Sequence, residues 1–565
     1  EQAQFILAHF LDWYRREEKS IWWEFFRLKE LEPEELLDER KTVSYLEYTQ
    51  QSYEERRSRV DVYRFPPQEA DLKEEMLYAH QGEKVGSLFS LDLEKGILEI
   101  KKGPKYKDAE HPSAVIQIQK VSATVKEESN IRFAQWVVEK SLESKEEDYR
   151  AARNLLLRKA PEFPQRKEGQ SLIDYSVEVL KNMDGDYLAI QGPPGAGKSY
   201  TGSHLILKLI QEGKKIGVTA MSHKVITNLL QKTYDLLEKE GINASIIQKG
   251  KRDDLPWTVA KTNEQILGAL ESHQIIAGTS FMWAREDLYE AVDYMFVDEA
   301  GQLALIDTIA LAQAARNLVL LGDPNQLQQP QQGAHPAGTE VSALEHILNG
   351  QQTIQEDQGI FLGTTWRMHP SINTIVSELF YQNRLQPEAH LANQGLSGST
   401  EYQPGLCSVQ VEHEGNASSS EEEAEAVEKL VAALTNGALS FTNSEGRTQQ
   451  ISANDVKIIS PYNAQVNLLK EKLPDFEIGT VDKFQGQEAP VIIYSVACSS
   501  PEEAPRGMDF LYSPNRLNVA ISRAKVLFIM VSTPQVFEVE CKSPKEMKLA
   551  NAFCRFAEVA YIPEC

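Results

Sequence analysis

The sequence predicts an α/β protein in which two successive parallel-sheet domains follow a smaller helical and β-rich region. Three observations lead there. At 565 residues the chain is longer than one hydrophobic core can organise, roughly 250–300 residues. Short apolar runs alternate with amphipathic helical patterns from Tyr187 onward, the βαβ rhythm of parallel sheets. Before residue 160 that rhythm is absent, and helix, short alternating strands and helix follow one another instead.

In chain order, residues 1–58 are expected to be stalk helices. Their opening, EQAQFILAHFLDWYRREEK, mixes acids and amides into an amphipathic pattern, which is not that of a secretory leader. Because the sequence begins at Glu1 and not at Met, a fragment of a longer protein is expected. Trp22-Trp23 and Phe25-Phe26 could stack on bases, but a helix packed onto the α/β core explains them more simply. Residues 59–130 read as a small β-barrel, with a Pro66-Pro67 break and a turn at Lys95-Gly96. Asp92 with Glu99-Ile100-Lys101 imitates a metal-nuclease pattern. One tight turn separates the carboxylates, and the alternation is what a barrel strand needs anyway, so no nuclease site is expected here. Residues 131–159 complete the stalk with a helix, and the α/β domains are expected at 160–340 and 341–565.

The first α/β segment carries Gly192-Pro193-Pro194-Gly195-Ala196-Gly197-Lys198-Ser199, a phosphate-loop pattern between the apolar strand YLAI and a helix. Glycines let successive backbone N–H groups point at phosphate oxygens, the lysine reaches the β- and γ-phosphates, and the serine hydroxyl joins Mg²⁺. DYMFVDEAGQ then ends a buried-looking strand in Asp298-Glu299. One carboxylate can hold Mg²⁺ and the other can orient and deprotonate a water. NLVLLGDPNQL ends similarly, and Gln326 there is a candidate γ-phosphate sensor, since an amide donates and accepts at once. A solvated polar turn is the alternative at each strand end. Two such ends in order after a phosphate loop favour the nucleotide reading.

The C-terminal half repeats strand, loop and helix without a second phosphate loop, which suggests a nucleotide held between two domains. Such a site needs cations from the far side, and Arg367 and Arg523 are candidates. SSSEEEAEAVEKL (418–430) reads as a solvated helix start capped by serine. The net charge of −24 argues against a broadly basic nucleic-acid binder. No apolar run reaches the roughly 18 residues of a membrane span. The five cysteines lack paired spacing, so free thiols, no zinc site and a cytoplasmic setting are expected.

Together GPPGAGKS (192–199), VTAMSHKV (218–225), AGTS (277–280), VDEAGQ (297–302), LGDPNQL (321–327), WRMHP (366–370), SPYNAQ (460–465), VDKFQGQE (481–488) and LNVAISRAK (517–525) resemble the ordered motifs of superfamily 1 helicases. The branch resembled contains the nonsense-mediated-decay RNA helicase. The resemblance implies two tandem RecA-like P-loop domains with an N-terminal accessory β-barrel on stalk helices, closing on ATP and Mg²⁺. It implies phosphate contacts from Gly192, Pro193, Gly195, Ala196, Gly197, Lys198 and Ser199, and Mg²⁺ at Ser199 and Asp298. Glu299 becomes the catalytic base, Gln326 the γ-phosphate sensor, and Arg367 and Arg523 the arginine fingers. Tyr200, Trp366 and Glu488 would contact the nucleotide, with Trp366 as base platform where relatives often have Tyr. Ser222, His223, Thr279, Pro461, Tyr462 and Thr480 would hold a single strand, helped by Lys224 and Lys249-Gly250-Lys251-Arg252. These contacts are mostly hydroxyls and backbone, which eases the conflict with the acidic charge.

One departure is the glutamine with which relatives read adenine. None lies at the matching distance before the loop, and Gln170 is the nearest upstream. YRREEKSIWWEFFRL also resembles the segment that follows a RecB-like nuclease in bacterial fusion proteins, which implies a nuclease outside this chain and favours DNA over RNA. A 5′-to-3′ translocase and helicase on single strands is thus the expectation. An ATP-gated clamp or protein-displacing remodeller, or a motor serving a separate nuclease, are the alternatives.

Overall fold

The computed structural model describes residues 1–118, 122–252, 254–329, 331–399 and 401–563. The chain divides into two compact units, one of Glu1–Glu128 with Pro330–Thr339, the other of Ser129–Gln329 with Glu340–Cys565.

The first unit opens with helices Gln2–Phe10 and Trp13–Glu30. Helix does not continue to 58 as expected, because strands begin at Thr42–Val43 and Glu47–Glu55. Thr, Val and Tyr in TVSYLEYTQ favour strand, and Glu47–Glu55 pairs with Ser58–Arg64. Seven antiparallel strands form one sheet, with Thr42–Val43 and Glu47–Glu55 at the two ends of its order. No pairing between those two ends, which would close a barrel, is present among the described residues. Asp92 takes the Lys95 N–H and ammonium at the hairpin turn, and Glu99 accepts from Ser90 at 2.7 Å, so the nuclease-like pattern is a hairpin.

The four aromatics do not pack onto the α/β core as expected. Phe25 is buried against Leu28, Leu36 and Ile116 of its own unit, whereas Trp23 is 73% and Phe26 52% exposed. Neighbouring residues on a helix point about 100° apart, so one stripe cannot bury all four rings. Residues 331–339 join this unit through Glu17, whose carboxylate accepts the N–H groups of Gln332 (3.1 Å) and Gly333 (3.0 Å).

The expected helix at 131–159 is two, Thr124–Lys140, whose residues to Glu128 belong to the first unit, and Arg150–Leu157 in the second, separated where Ser141 and Tyr149 take positive φ. The rest of the second unit is built largely on parallel sheets. An eight-stranded parallel sheet follows. Its order is Thr258–Ala260, Ile246–Lys249, Ile275–Ala277, Ile216–Thr219, Val292–Val297, Ala315–Gly322, Tyr187–Gln191, Ile360–Phe361. The last strand carries the first layer past the expected boundary at 340. A second parallel sheet runs Gly405–Gln410, Ala524–Ser532, Ala489–Ser495, Val456–Ile459, Glu477–Gly479. These near-continuous apolar strands are buried on both faces, as parallel sheets require. Two tandem parallel layers of this kind are the RecA-like arrangement expected.

Ser420 caps helix Glu421–Thr435 as expected, but Glu423 in that acidic run is buried, held by His413, Ser495 and the Ala497 N–H. Cys407, Cys498, Cys541 and Cys554 are free thiols, and Cys565 lies outside the described residues. No helix among the described residues is long and apolar enough to cross a membrane, and none of their His, Cys, Asp and Glu side chains forms a three-ligand metal cluster.

Candidate nucleotide-binding site

The phosphate loop leaves strand Tyr187–Gln191 and enters helix Lys198–Gln211. Gly195 (φ +71°) and Gly197 (φ +83°) adopt left-handed backbone that side chains resist. Gly195 is also tight sterically, because an added Cβ would lie 2.6 Å from both the Arg367 Cβ and the Thr365 Oγ1. The loop is closed over by that later segment: the Trp366 N–H donates to the Gly195 carbonyl at 2.9 Å and Thr365 Oγ1 to the Pro194 carbonyl at 3.0 Å. Lys198 Nζ donates to the Gly192 carbonyl at 2.7 Å, so its ammonium lies inside the loop it serves. Helix Lys198–Gln211 begins at Lys198 itself, directing its N-terminal partial charge into the loop.

Asp298 and Glu299 follow strand Val292–Val297, two strands from the phosphate loop in the sheet order. Asp298 is buried and accepts the Glu299 N–H at 3.0 Å, while Glu299 has φ +52°. Burial, then the neighbouring Glu299 carboxylate, pushes the Asp298 carboxyl up to about 7. Two acids crowded in this way suit a divalent cation. Ser199 and Asp298 offer a hydroxyl and a carboxylate, the sparse oxygen set with which Mg²⁺ sits beside substrate phosphates. The buried amide nitrogen of Gln302 has no partner among the described residues, leaving a donor open in the same motif.

Gln326 is buried and its Nε2 donates to Asp323 at 2.8 Å. Asp323 was not singled out from sequence, yet it is the centre of the network. Its carboxylate takes four donors: Gln326 Nε2 and Tyr381 OH (2.6 Å) on one oxygen, Gln191 Nε2 (3.3 Å) and the Asn325 N–H (3.2 Å) on the other. Burial pushes this carboxyl above its usual range, and the Lys198 charge and these donors oppose that. A protonated carboxyl would aim its own hydrogen at donors, so the cage fits the carboxylate. Asn518 Nδ2 extends the chain, donating to Tyr381 OH at 2.8 Å and to the Asn325 carbonyl at 2.7 Å. The first layer's Gln326 is thus wired to helix Pro514–Ile521, which leads directly into Arg523.

Arg523 is fully buried, and among the described residues its guanidinium hydrogen-bonds only to the Val519 and Gln487 carbonyls and the Ser522 hydroxyl. Burial, then the nearby Arg367 charge, lowers it to about 9, still protonated at neutral pH, while Glu299 pulls the other way. Arg367 is held differently. Its Nε donates to Glu488 at 2.6 Å, whose other oxygen meets Lys525 at 2.8 Å. Burial raises the Glu488 carboxyl, and these two cations outweigh it, bringing it down to about 2. Glu488 therefore grips Arg367 in this conformation.

Tyr200 and Trp366 are both more than half exposed and border a cavity beside the phosphate loop.

The expected strand contacts fall at carboxyl ends of neighbouring parallel strands, where open α/β sheets bind ligands. Ser222, cap of helix His223–Lys239, and His223 follow Ile216–Thr219, and Thr279 follows the adjacent Ile275–Ala277. In the second layer Pro461 follows Val456–Ile459 and Thr480 follows the adjacent Glu477–Gly479. Tyr462 departs from expectation. Its ring is buried in the core against Phe510, which leaves only its backbone for a strand. Lys224 and Lys251 are exposed, Lys249 is tied to Asn263 and Arg252 to Asp254.

Two family models described as AAA domain match residues 177–353 and 339–535. A putative helicase mov-10-B.1 of Danio rerio is 27% identical over 412 residues, 62% of this chain and 40% of that protein. The DNA replication ATP-dependent helicase/nuclease dna2 of Schizosaccharomyces pombe is 28% identical over 384 residues, covering 61% of this chain and 26% of that one. A regulator of nonsense transcripts 1 homolog of Neurospora crassa is 24% identical over 414 residues, covering 61% and 36%. This chain thus spans less than half the length of these relatives.

Proposed function

We propose that this chain, superfamily 1 helicase-like in its motifs and its relatives, hydrolyses ATP between its two α/β layers to move along single-stranded nucleic acid. The observation that carries the reading is Arg523, a buried cation without a carboxylate partner among the described residues, joined to the phosphate-loop layer through Asn518, Tyr381 and Asp323. Such a cation has been left for an anion that arrives from outside the fold.

In this reading Lys198 and the loop N–H groups hold the β- and γ-phosphates. Ser199 and Asp298 would hold Mg²⁺, which when bound neutralises phosphate charge. Glu299 takes a proton from the attacking water, whose oxygen bonds to the γ-phosphorus while the bond to the ADP oxygen breaks. Gln326 orients the water or a γ-oxygen, and Arg523 and Arg367 stabilise the charge on the moving phosphoryl group. Arg367 must first exchange Glu488 for phosphate, and that exchange gives the two layers distinct loaded and empty arrangements. Strand contacts at Ser222, Thr279, Pro461 and Thr480, divided between the layers, would then shift as the layers close.

DNA as the strand, 5′-to-3′ polarity and a nuclease elsewhere in a longer protein complete the proposal. The helicase/nuclease relative supports the first and last of these. Matched DNA and RNA strands with 5′ or 3′ tails test it together. Strand-stimulated ATP turnover with unwinding of 5′-tailed DNA is expected. Turnover indifferent to any strand would remove the motor.

A further inference from the structure

Glu423 is a buried carboxyl in the second layer, in the first turn of helix Glu421–Thr435, where an apolar side chain would pack at lower cost. No lysine or arginine among the described residues pairs with it. A carboxylate taken out of water in this way is tolerable only when donors meet it, and the donors it meets show what it holds.

One oxygen accepts the Ser495 hydroxyl at 2.7 Å and the Ala497 N–H at 2.9 Å, at the carboxyl end of strand Ala489–Ser495. The other accepts from His413 Nε2 at 3.1 Å, and Nδ1 of that ring accepts the Ser499 hydroxyl at 2.8 Å. Ser499 is fixed again by Asn416, whose N–H its hydroxyl accepts at 2.9 Å and whose carbonyl takes its own N–H at 2.8 Å. The turn from Ser495 to Ser499 is thus held from both sides. It has to be, because Ala497 has φ +67°, a left-handed backbone that a residue with a Cβ keeps only where its surroundings dictate it.

The same network reaches the adjacent strand. The Ser495 hydroxyl accepts from Gln465 Nε2 at 3.0 Å, and Gln465 also clasps Ser420, the cap of the Glu423 helix, donating to its carbonyl at 3.2 Å and accepting its N–H at 2.8 Å. Gln465 stands in the first turn of helix Asn463–Lys472, directly after Pro461 and Tyr462, which follow the neighbouring strand Val456–Ile459. Glu423, Ser495, Gln465, His413 and Ser499 are all buried, so water cannot replace a lost partner. Buried polar networks satisfied in this way specify one arrangement more than they add stability.

We propose that Glu423 is a positioning residue for the nucleic-acid strand: through Ser495 and Gln465 it fixes the Pro461 end of the second layer in the arrangement that holds a phosphate backbone, touching neither strand nor nucleotide itself. This rests on the strand-motor reading above and names a determinant of its strand affinity.

The test is ATP turnover by the intact chain, titrated with the single strand, DNA or RNA, that stimulates the wild type. Glu423→Ala is expected to raise the strand concentration for half-maximal stimulation about tenfold, with strand-free turnover and KM for ATP within about twofold of wild type. An unchanged half-maximal concentration would overturn the proposal. So would an equal loss of strand-free turnover, which is what a damaged fold or nucleotide site gives. Ser495→Ala removes one oxygen from the middle of the network while Glu423 keeps two donors and Gln465 keeps Ser420, and it decides the question where Glu423→Ala does not fold. A rise of about threefold is expected there, and no rise would overturn the proposal. Glu423→Gln is expected to match wild type, because the amide oxygen can accept from Ser495 and Ala497 while its NH₂ donates to His413 Nε2 in the other tautomer. A rise in this variant equal to that of Glu423→Ala would refute positioning by hydrogen bonds. Wild-type turnover indifferent to any strand would remove the motor reading itself, an outcome distinct from a strand-stimulated protein whose variants all behave alike.

Discussion

Replacing Tyr381 by Phe removes one oxygen and keeps the ring that fills the core. That oxygen donates to Asp323 at 2.6 Å and accepts from Asn518 at 2.8 Å, with all three side chains buried. A hydrogen bond to a buried charged group contributes about 1.5–3 kcal/mol, and here the carboxylate keeps three of its four donors. Asn518 keeps the Asn325 carbonyl. The expected loss of stability is therefore about 2 kcal/mol, measured by denaturant unfolding at neutral pH. The same oxygen links Gln326 to the helix Pro514–Ile521 that leads into Arg523, so a second effect is expected on catalysis. Strand-stimulated kcat should fall about tenfold, equivalent to about 1.4 kcal/mol at the barrier, with KM for ATP unchanged, because no atom that binds substrate has been altered. Unfolding free energy unchanged within about 0.5 kcal/mol would refute the ionised, fully caged Asp323. Lost stability with unchanged kcat would keep the cage and refute its role in positioning Arg523.

Glu299→Gln is expected to lower hydrolysis by at least about a thousandfold while nucleotide binding, read by fluorescence titration, stays near wild type. Arg523→Ala should lower kcat by about 10³ or more and, since it removes a buried cation with no carboxylate partner among the described residues, should leave thermal stability unchanged or raised. His346 gives a pH prediction. Its Nε2 can only donate to the Leu156 carbonyl (3.1 Å) and its Nδ1 can only accept from Arg158 (3.4 Å), so the ring is neutral. Burial, then the Arg158 charge, lowers it from 6.5 to about 4. The unfolded chain therefore binds the proton first, and stability is lost as pH falls from about 6.5 to about 4, by up to about 3 kcal/mol. His346→Gln should flatten that slope in pH-dependent unfolding.

What the sequence made legible is chemistry written in a short span. Gly195 and Gly197 had to be glycine for the backbone they adopt, and Asp298-Glu299 closed a visibly apolar strand. The Asp323 cage was hidden because Tyr381 and Asn518 reach it from distant parts of the chain, and a lone Tyr or Asn carries no local pattern. Strand Glu47–Glu55 was hidden for the opposite reason. It is largely exposed, so no alternation of polar and apolar residues marks it, and only its pairing with Ser58–Arg64 makes it a strand. Trp23 and Phe26 show the limit of composition: aromatic residues imply burial on average, but helix geometry decides which of four neighbours turns inward.

The acidic total of −24 and the proposed single-strand substrate are reconciled by where the expected contacts stand. Ser222, Thr279, Pro461 and Thr480 each follow the carboxyl end of a parallel strand, in two neighbouring pairs, one pair per layer. Hydroxyls and backbone N–H groups there can hold phosphates without a field that spans the surface. Of the nearby basic residues, Arg252 is already paired with Asp254 and Lys249 with Asn263, leaving Lys224 and Lys251 to screen the strand. A protein that neutralises few phosphates releases few counterions, so its affinity should fall only gently with salt, with a slope of about −0.7 per neutralised phosphate on a single strand. Two such lysines predict a slope near −1.4 in a plot of log affinity against log salt. A much steeper slope would mean that a basic surface elsewhere, and not these strand ends, carries the nucleic acid.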